Sequence, residues 1–208
     1  MIITPTFIVI WFGWLLAGGS PGPATLGIAG TSIASGRKAG LAFALGILAG
    51  SASWGLAAAL GLSAIMLANA WVFEIIRYLG AVYLLYLAIR AGLAAYRGGE
   101  TKLGTPFRGS WRSLFSKGLM IHLTNPKAVF SWGSIYAIVS PSDATPLMLL
   151  GYFGLLYIAS ILVFIGYAFL FSTPAAVSIY ARARRWFDLT FAAFFGFASY
   201  KILTAKLI

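Results

Sequence analysis

The 208-residue chain is 61% hydrophobic and 9% charged, far from the roughly even apolar share and one-quarter charge of a soluble domain. At about 20 residues per crossing of a ~30 Å hydrocarbon core, it holds about six helical spans and no soluble domain of ordinary size. Fifteen Lys and Arg against four Asp and Glu give a net charge of +11, which basic cytoplasmic loops beside anionic headgroups account for without a nucleic-acid partner.

The first expected span covers 7–35. Ala17 and Gly19 after an apolar run imitate a signal-peptide cleavage site, but no Lys or Arg precedes Arg37. The positive front of a signal peptide is missing, so the segment reads as a retained span. It is interrupted by Gly18-Gly19-Ser20-Pro21-Gly22-Pro23-Ala24, where two prolines remove backbone donors and clash with the preceding turn. A helix should stop there and restart near Pro23, capped by Ser20 or Gly22, aiming free N–H groups and its positive dipole end into the membrane.

The second and third spans are expected at 40–68 and 72–95. Ala42, Gly46 and Gly50 recur at four-residue intervals, with Gly80 in the next helix, a pattern that lets helix backbones approach closely. Residues 97–117, with Gly98, Gly99, Lys102, Gly104, Pro106 and Arg108, read as a polar connection. The chain therefore divides into a first three-span repeat at 1–96, a basic connecting loop at 97–116 and a second repeat at 117–208.

The fourth span, 117–140, is interrupted at Leu123-Thr124-Asn125-Pro126-Lys127-Ala128. Asn125 is a strong N-cap and Pro126 a preferred first helical residue, so a second helix starts inside an apolar span. Spans five and six follow at 146–172 and 186–206. Trp11, Trp14, Trp71, Trp111 and Trp186 lie near span ends and fit an interfacial aromatic belt, whereas Trp54 and Trp132 lie inside spans, as packing residues or a gate.

Eleven of the fifteen basic residues follow spans one, three and five. The connections near 69–71 and 140–146 have none, and the second contains Asp143. Those connections and both chain ends are therefore expected outside. Arg77, Lys201 and Lys206 weigh against this orientation, although Glu74 can pair with Arg77 on one helix face.

Three spans per half make the second half enter from the opposite side, the inverted-repeat plan of many secondary transporters. Pro23 and Pro126 lie 103 positions apart, almost half the chain, while Gly50 and Gly154, and Gly92 and Gly196, are spaced at 104. The expected fold class is thus all-α integral membrane: six transmembrane helices as two inverted three-helix repeats, with broken helices in spans 1 and 4. Broken backbone in hydrocarbon leaves unpaired groups costing several kcal/mol each unless it is buried in protein or lines a wet cavity. Matched breaks therefore predict one shared cavity, and two helix N-termini facing it attract a carboxylate.

Lys127 adds a formal charge there at a cost of at least about 2.5 kcal/mol, so a bound carboxylate is its natural partner; snorkelling to the surface and capping of carbonyls are the alternatives. The single histidine, His122, is either a proton carrier or a neutral ring hydrogen-bonded in the bundle. Glu74 and Asp188 fall near span ends as structural or hydrated groups. No mid-membrane carboxylate pair occurs and cysteine is absent, which argues against a metal site, an intramembrane protease and thiol chemistry.

Pro21-Gly22-Pro23, then Gly36-Arg37-Lys38-Ala39-Gly40, then Leu79-Gly80-Ala81-Val82-Tyr83-Leu84-Leu85-Tyr86-Leu87 resemble the lysine exporter (LysE/RhtB) family of amino-acid efflux proteins. Phe115-Ser116-Lys117-Gly118 with Thr124-Asn125-Pro126-Lys127-Ala128 is similar to that family's second hallmark, and Phe195-Gly196 with Ile202-Leu203 to its closing helix. The resemblance spans nearly the whole chain. It implies a secondary exporter of amino acids in a bacterial inner membrane, driven by the proton gradient and needing no cofactor. Many relatives carry an acidic residue in the fifth span, but 157–170 has none, which turns the expectation toward a neutral or hydroxylated substrate.

The expected substrate contacts are Gly22, Pro23, Thr25, His122, Thr124, Asn125, Pro126 and Lys127. The carboxylate would sit at the helix starts beside Lys127, with Thr25, Thr124 and His122 as polar contacts for the ammonium group or side chain. Three other readings stay open: an exporter of an inorganic cation or organic acid, a membrane-embedded enzyme, and a structural subunit of a larger complex. Homo-oligomerisation is open too.

Overall fold

A computed structural model describes residues 5–68, 70–97, 106–139 and 144–204. Among them all regular structure is helical, in chain order α1 (Pro5–Gly19), α2 (Pro23–Ala68), α3 (Ala70–Arg97), α4 (Trp111–Leu123), α5 (Pro126–Val139), α6 (Pro146–Leu170) and α7 (Pro174–Thr204). Five of these seven helices begin with proline, which suits a first helical position because no partner is available for its missing N–H.

Both sequence-predicted interruptions are present, at residues 20–22 and 124–125. A third discontinuity divides α2 at Gly36, whose φ of 79° and ψ of 176° are open to glycine and strained for other residues. The chain thus turns sharply at 36 and runs back as the long second arm of α2. By length and composition Tyr78–Arg97, Pro146–Leu170 and the stretch Pro23–Gly61, which contains the turn at Gly36, suffice to cross a membrane, and Phe7–Gly19 is a shorter apolar helix. The α4–α5 pair is broken at 124–125, so neither piece alone reaches spanning length.

Two element boundaries differ from the sequence expectation. α7 begins at Pro174 rather than 186, because Arg182, Arg184 and Arg185 lie within a continuous helix and arginine is a good helix former. α4 begins at Trp111 rather than 117, with Ser110 as N-cap accepting from the Ser113 N–H. The connections expected at 98–105 and 140–143, including Asp143, lie outside the described residues, as does Lys206; the Glu74–Arg77 pair and Lys201 lie outside the described side chains.

The long arm of α2 packs on α4 and α6, and α3 packs on α7. The α2–α4 contact is backbone against backbone. A Cβ added at Gly46 would lie 2.8 Å from the Leu119 nitrogen, one at Gly118 3.2 Å from the Ile47 nitrogen, and one at Gly50 2.9 Å from the His122 Cβ. The expected small-residue stripe therefore faces α4, and Gly80 meets Ser134 of α5.

One end of the bundle gathers the basic turns. Arg37 donates to Ser172 Oγ at 3.2 Å and lies 4.9 Å above the Phe169 ring, while Lys117 donates to the Arg108 carbonyl at 3.1 Å. The opposite half is closed by a cluster that includes Phe7, Trp14, Trp132, Tyr136, Tyr152 and Leu156. Wide apolar stretches also face outward, among them Val82, Ile89, Leu162 and Phe197, as a surface in hydrocarbon requires.

Candidate functional site

Each broken helix restarts with its own local chemistry. At the first break Gly22, not Ser20, caps α2: its carbonyl accepts from the Leu26 N–H at 2.9 Å, and its own N–H donates to Thr25 Oγ1 at 3.1 Å. Thr25, at the third helical position, thus satisfies the cap nitrogen as in a capping box. Ser20 instead turns back, its hydroxyl donating to the Ala17 carbonyl at 2.8 Å. Tyr167 of α6 donates to the Gly19 carbonyl at 2.5 Å, so the carbonyl ends of α1 are met by protein.

At the second break Asn125 caps α5 as the sequence predicts, its Oδ1 accepting from the Lys127 N–H at 3.1 Å. The breaks touch through Lys127. Its ammonium donates to the Ser20 carbonyl at 3.0 Å and also to the Ser20 hydroxyl. Carbonyl capping, rather than snorkelling, is what this lysine does in the structure.

Between the breaks lies a small cavity, with about 40 Å³ open to the centres of water molecules, room for about three of them. Gly22, Thr25, His122, Asn125 and Lys127 line it. The other three expected contacts do not. Thr124 and Pro126 are exposed and absent from the wall, and the Thr124 hydroxyl is spent on the Met120 carbonyl at 2.9 Å. Pro23 lies on the far side of the break, in the wall of a neighbouring cavity.

The wall also includes Trp132, one of the two tryptophans expected inside spans as packing residues or a gate, and Trp14, Ser51, Ser131 and Ser160, which the sequence does not mark as cavity residues. Trp14 is 7% exposed, its indole donating to Ser160 Oγ at 3.0 Å. It belongs to the cavity and not to an interfacial belt. Trp132 donates to Ser51 Oγ at 3.1 Å, and the two indoles lie 4.6 Å apart. Two polar atoms of the wall, His122 Nδ1 and Ser131 Oγ, are buried without a protein partner. Leaving such groups unpaired costs about 1–3 kcal/mol each, so they are free to bond water or solute.

The cavity therefore offers a cation, two helix starts, a ring nitrogen and a hydroxyl inside tryptophan walls. Among the described residues no group of three or more His, Cys, Asp or Glu is placed to hold a metal ion.

Comparison with known proteins gives the family. The chain is 30% identical over 189 residues to the threonine efflux protein of Salmonella typhimurium, covering 89% of this chain and 91% of the relative. It is 29% identical over 202 residues to the threonine efflux protein of Escherichia coli, covering 95% and 98%. To the uncharacterized membrane protein YahN of Escherichia coli it is 31% identical over 169 residues, covering 80% and 74%. No solved structure matches. The sequence model of the LysE type translocator family matches residues 16–206, and with helices of spanning length the chain is a multi-pass membrane protein belonging to that family, a transporter and not an enzyme.

Proposed function

We propose that the chain exports small neutral amino acids, L-threonine among them, across a bacterial inner membrane, driven by the proton gradient. The observation that carries this reading is the meeting of the two breaks through Lys127 and Ser20. An α-carboxylate is the group that competes best with a carbonyl for a buried ammonium, because a charge-assisted bond between two ions is about twice as strong as a neutral one. A carboxylate arriving at Lys127 would release Ser20 and meet the N–H groups at the starts of α2 and α5. His122 Nδ1 and Ser131 Oγ would take the remaining polar groups.

The movement fits two inverted three-span halves. α1 with the first arm of α2 corresponds to α4 with α5, the second arm of α2 to α6, and α3 to α7. Contact of α2 with α6 and of α3 with α7 is compatible with a pseudo-two-fold axis between the halves and supports this matching. The basic end is cytoplasmic by the positive-inside rule, which leaves both chain ends outside. With the cavity narrow and the aromatic cluster closing the outer half, the arrangement is shut toward the outside, and rocking of the halves alternates access.

Sealed vesicles containing the purified protein, loaded with unlabelled L-threonine, test the reading. Labelled L-threonine should accumulate by counterflow and respond to an imposed pH difference. Absence of flux with amino acids alongside flux of inorganic cations or organic acids would overturn it.

A further inference from the structure

A second and much larger cavity, with about 560 Å³ open to water centres, lies on the other side of the first break. Gly22 lines both cavities, so one short stretch of backbone separates the wide space from the narrow one. The wide cavity belongs to the basic half of the molecule. Its walls include Arg90 of α3, Arg184 and Asp188 of α7, and apolar side chains such as Leu26 and Phe191.

Asp188 is the informative residue. It is 4% exposed and lies 3.6 Å from the guanidinium of Arg184, four residues earlier on the same helix. Among the residues whose side chains are described it is the only acid. A buried charge in a membrane protein is expensive and is retained at pathways and sites. Among the described side chains the one carboxylate is placed in the wall of this wide cavity. The chamber thus carries charge of both signs: exposed Arg90 on the α3 wall, donating to the Tyr86 hydroxyl at 3.4 Å, and the Arg184–Asp188 pair on the α7 wall.

We propose that this cavity is a loading subsite for zwitterionic α-amino acids. Arg90 takes the carboxylate, Asp188 takes the ammonium group, and Arg184 positions Asp188. The solute then passes the stretch at 20–22 when its carboxylate is handed to Lys127. This rests on the amino-acid reading above and adds selection to it: solutes lacking the ammonium group forgo the contact with Asp188 and load less well into the wide cavity.

The test uses inverted membrane vesicles, in which the wide cavity faces the bath, and labelled L-threonine. Asp188→Asn and Arg90→Gln should each raise the half-saturating concentration by about tenfold with maximal rate nearly unchanged, as loss of one charge-assisted contact predicts. Arg90→Lys should recover most of that loss. In right-side-out vesicles, loaded from the opposite face, half-saturation should not move. N-acetyl-L-threonine should inhibit Asp188→Asn at about fivefold lower concentration than it inhibits the unsubstituted protein.

Unchanged half-saturation in Arg90→Gln and Asp188→Asn, or equal rises from both faces, would overturn the subsite. If Asp188→Asn fails to reach the membrane, the Arg90→Gln and Arg90→Lys pair decides alone. No L-threonine uptake by the unsubstituted protein would instead overturn the amino-acid reading, and the subsite with it.

Discussion

Lys127 and Ser20 stand 107 positions apart in sequence, and the lysine ammonium donates to the serine carbonyl at 3.0 Å. That contact joins the two interrupted spans, and it gives the Ser20 carbonyl a charged donor beside the Thr25 hydroxyl, which also donates to it at 3.1 Å. The same ammonium lines the narrow cavity. One side chain therefore bridges the two breaks and offers the cavity its cation.

Lys127→Ala removes both roles. Efflux should fall by about 10- to 100-fold, the range spanned by losing a hydrogen bond to a charged group, while the amount of protein in the membrane stays within about twofold. Ser20→Ala keeps the Ser20 carbonyl, so its loss should be smaller. Initial efflux rates normalised to membrane abundance measure both, and full transport by a normally inserted Lys127→Ala protein would remove the lysine from the site.

The close approach of α2 and α4 at Gly46 and Gly118 makes those positions intolerant of any side chain. Gly118→Val should destabilise the protein by about 1–3 kcal/mol or more, since neighbouring backbone cannot yield as a flexible side chain does. Gly154 has nothing within 4 Å of an added Cβ, so Gly154→Ala should be neutral or slightly stabilising. Thermal unfolding in detergent compares the two.

Gly36 carries a φ of 79°, and Gly36→Val should cost about 1–2 kcal/mol of strain. Gly36→Asn should cost less, because asparagine tolerates positive φ better. The same unfolding assay ranks the variants, and an equal effect of both would contradict backbone strain as the cause.

Asn125→Ala removes the cap of α5 and should destabilise by about 1 kcal/mol, with Asn125→Asp or Asn125→Ser retaining most of it. Because Asn125 also lines the cavity, its variants should change the half-saturating threonine concentration as well as the unfolding temperature. A change in stability alone would leave it a structural cap.

Prolines made the breaks legible in the sequence. Pro21, Pro23 and Pro126 cannot continue a helix, so the interruptions and the helix starts at 23 and 126 followed from local chemistry. Gly46 and Gly50 were legible as a packing stripe, although not their partner α4. Ser51, Ser131 and Ser160 were not, because helices apolar on nearly all sides give no periodic signal separating a lipid face from a cavity face. Trp14 escapes the sequence for a related reason: an indole near a span end suits the interface, and only the break six residues later puts this one beside the cavity. The basic stretch at 182–185 suits a loop by its charge, yet charge in a helix near the headgroups is stable when it reaches water.

The central claim is that solute binds in the narrow cavity between the breaks, and the absence of cysteine makes a direct measurement clean. In a Ser131→Cys protein that retains transport, saturating L-threonine should slow reaction with a small maleimide by about fivefold or more, as an occupant of a closed site excludes reagent. Equal reaction rates with and without L-threonine would contradict the account.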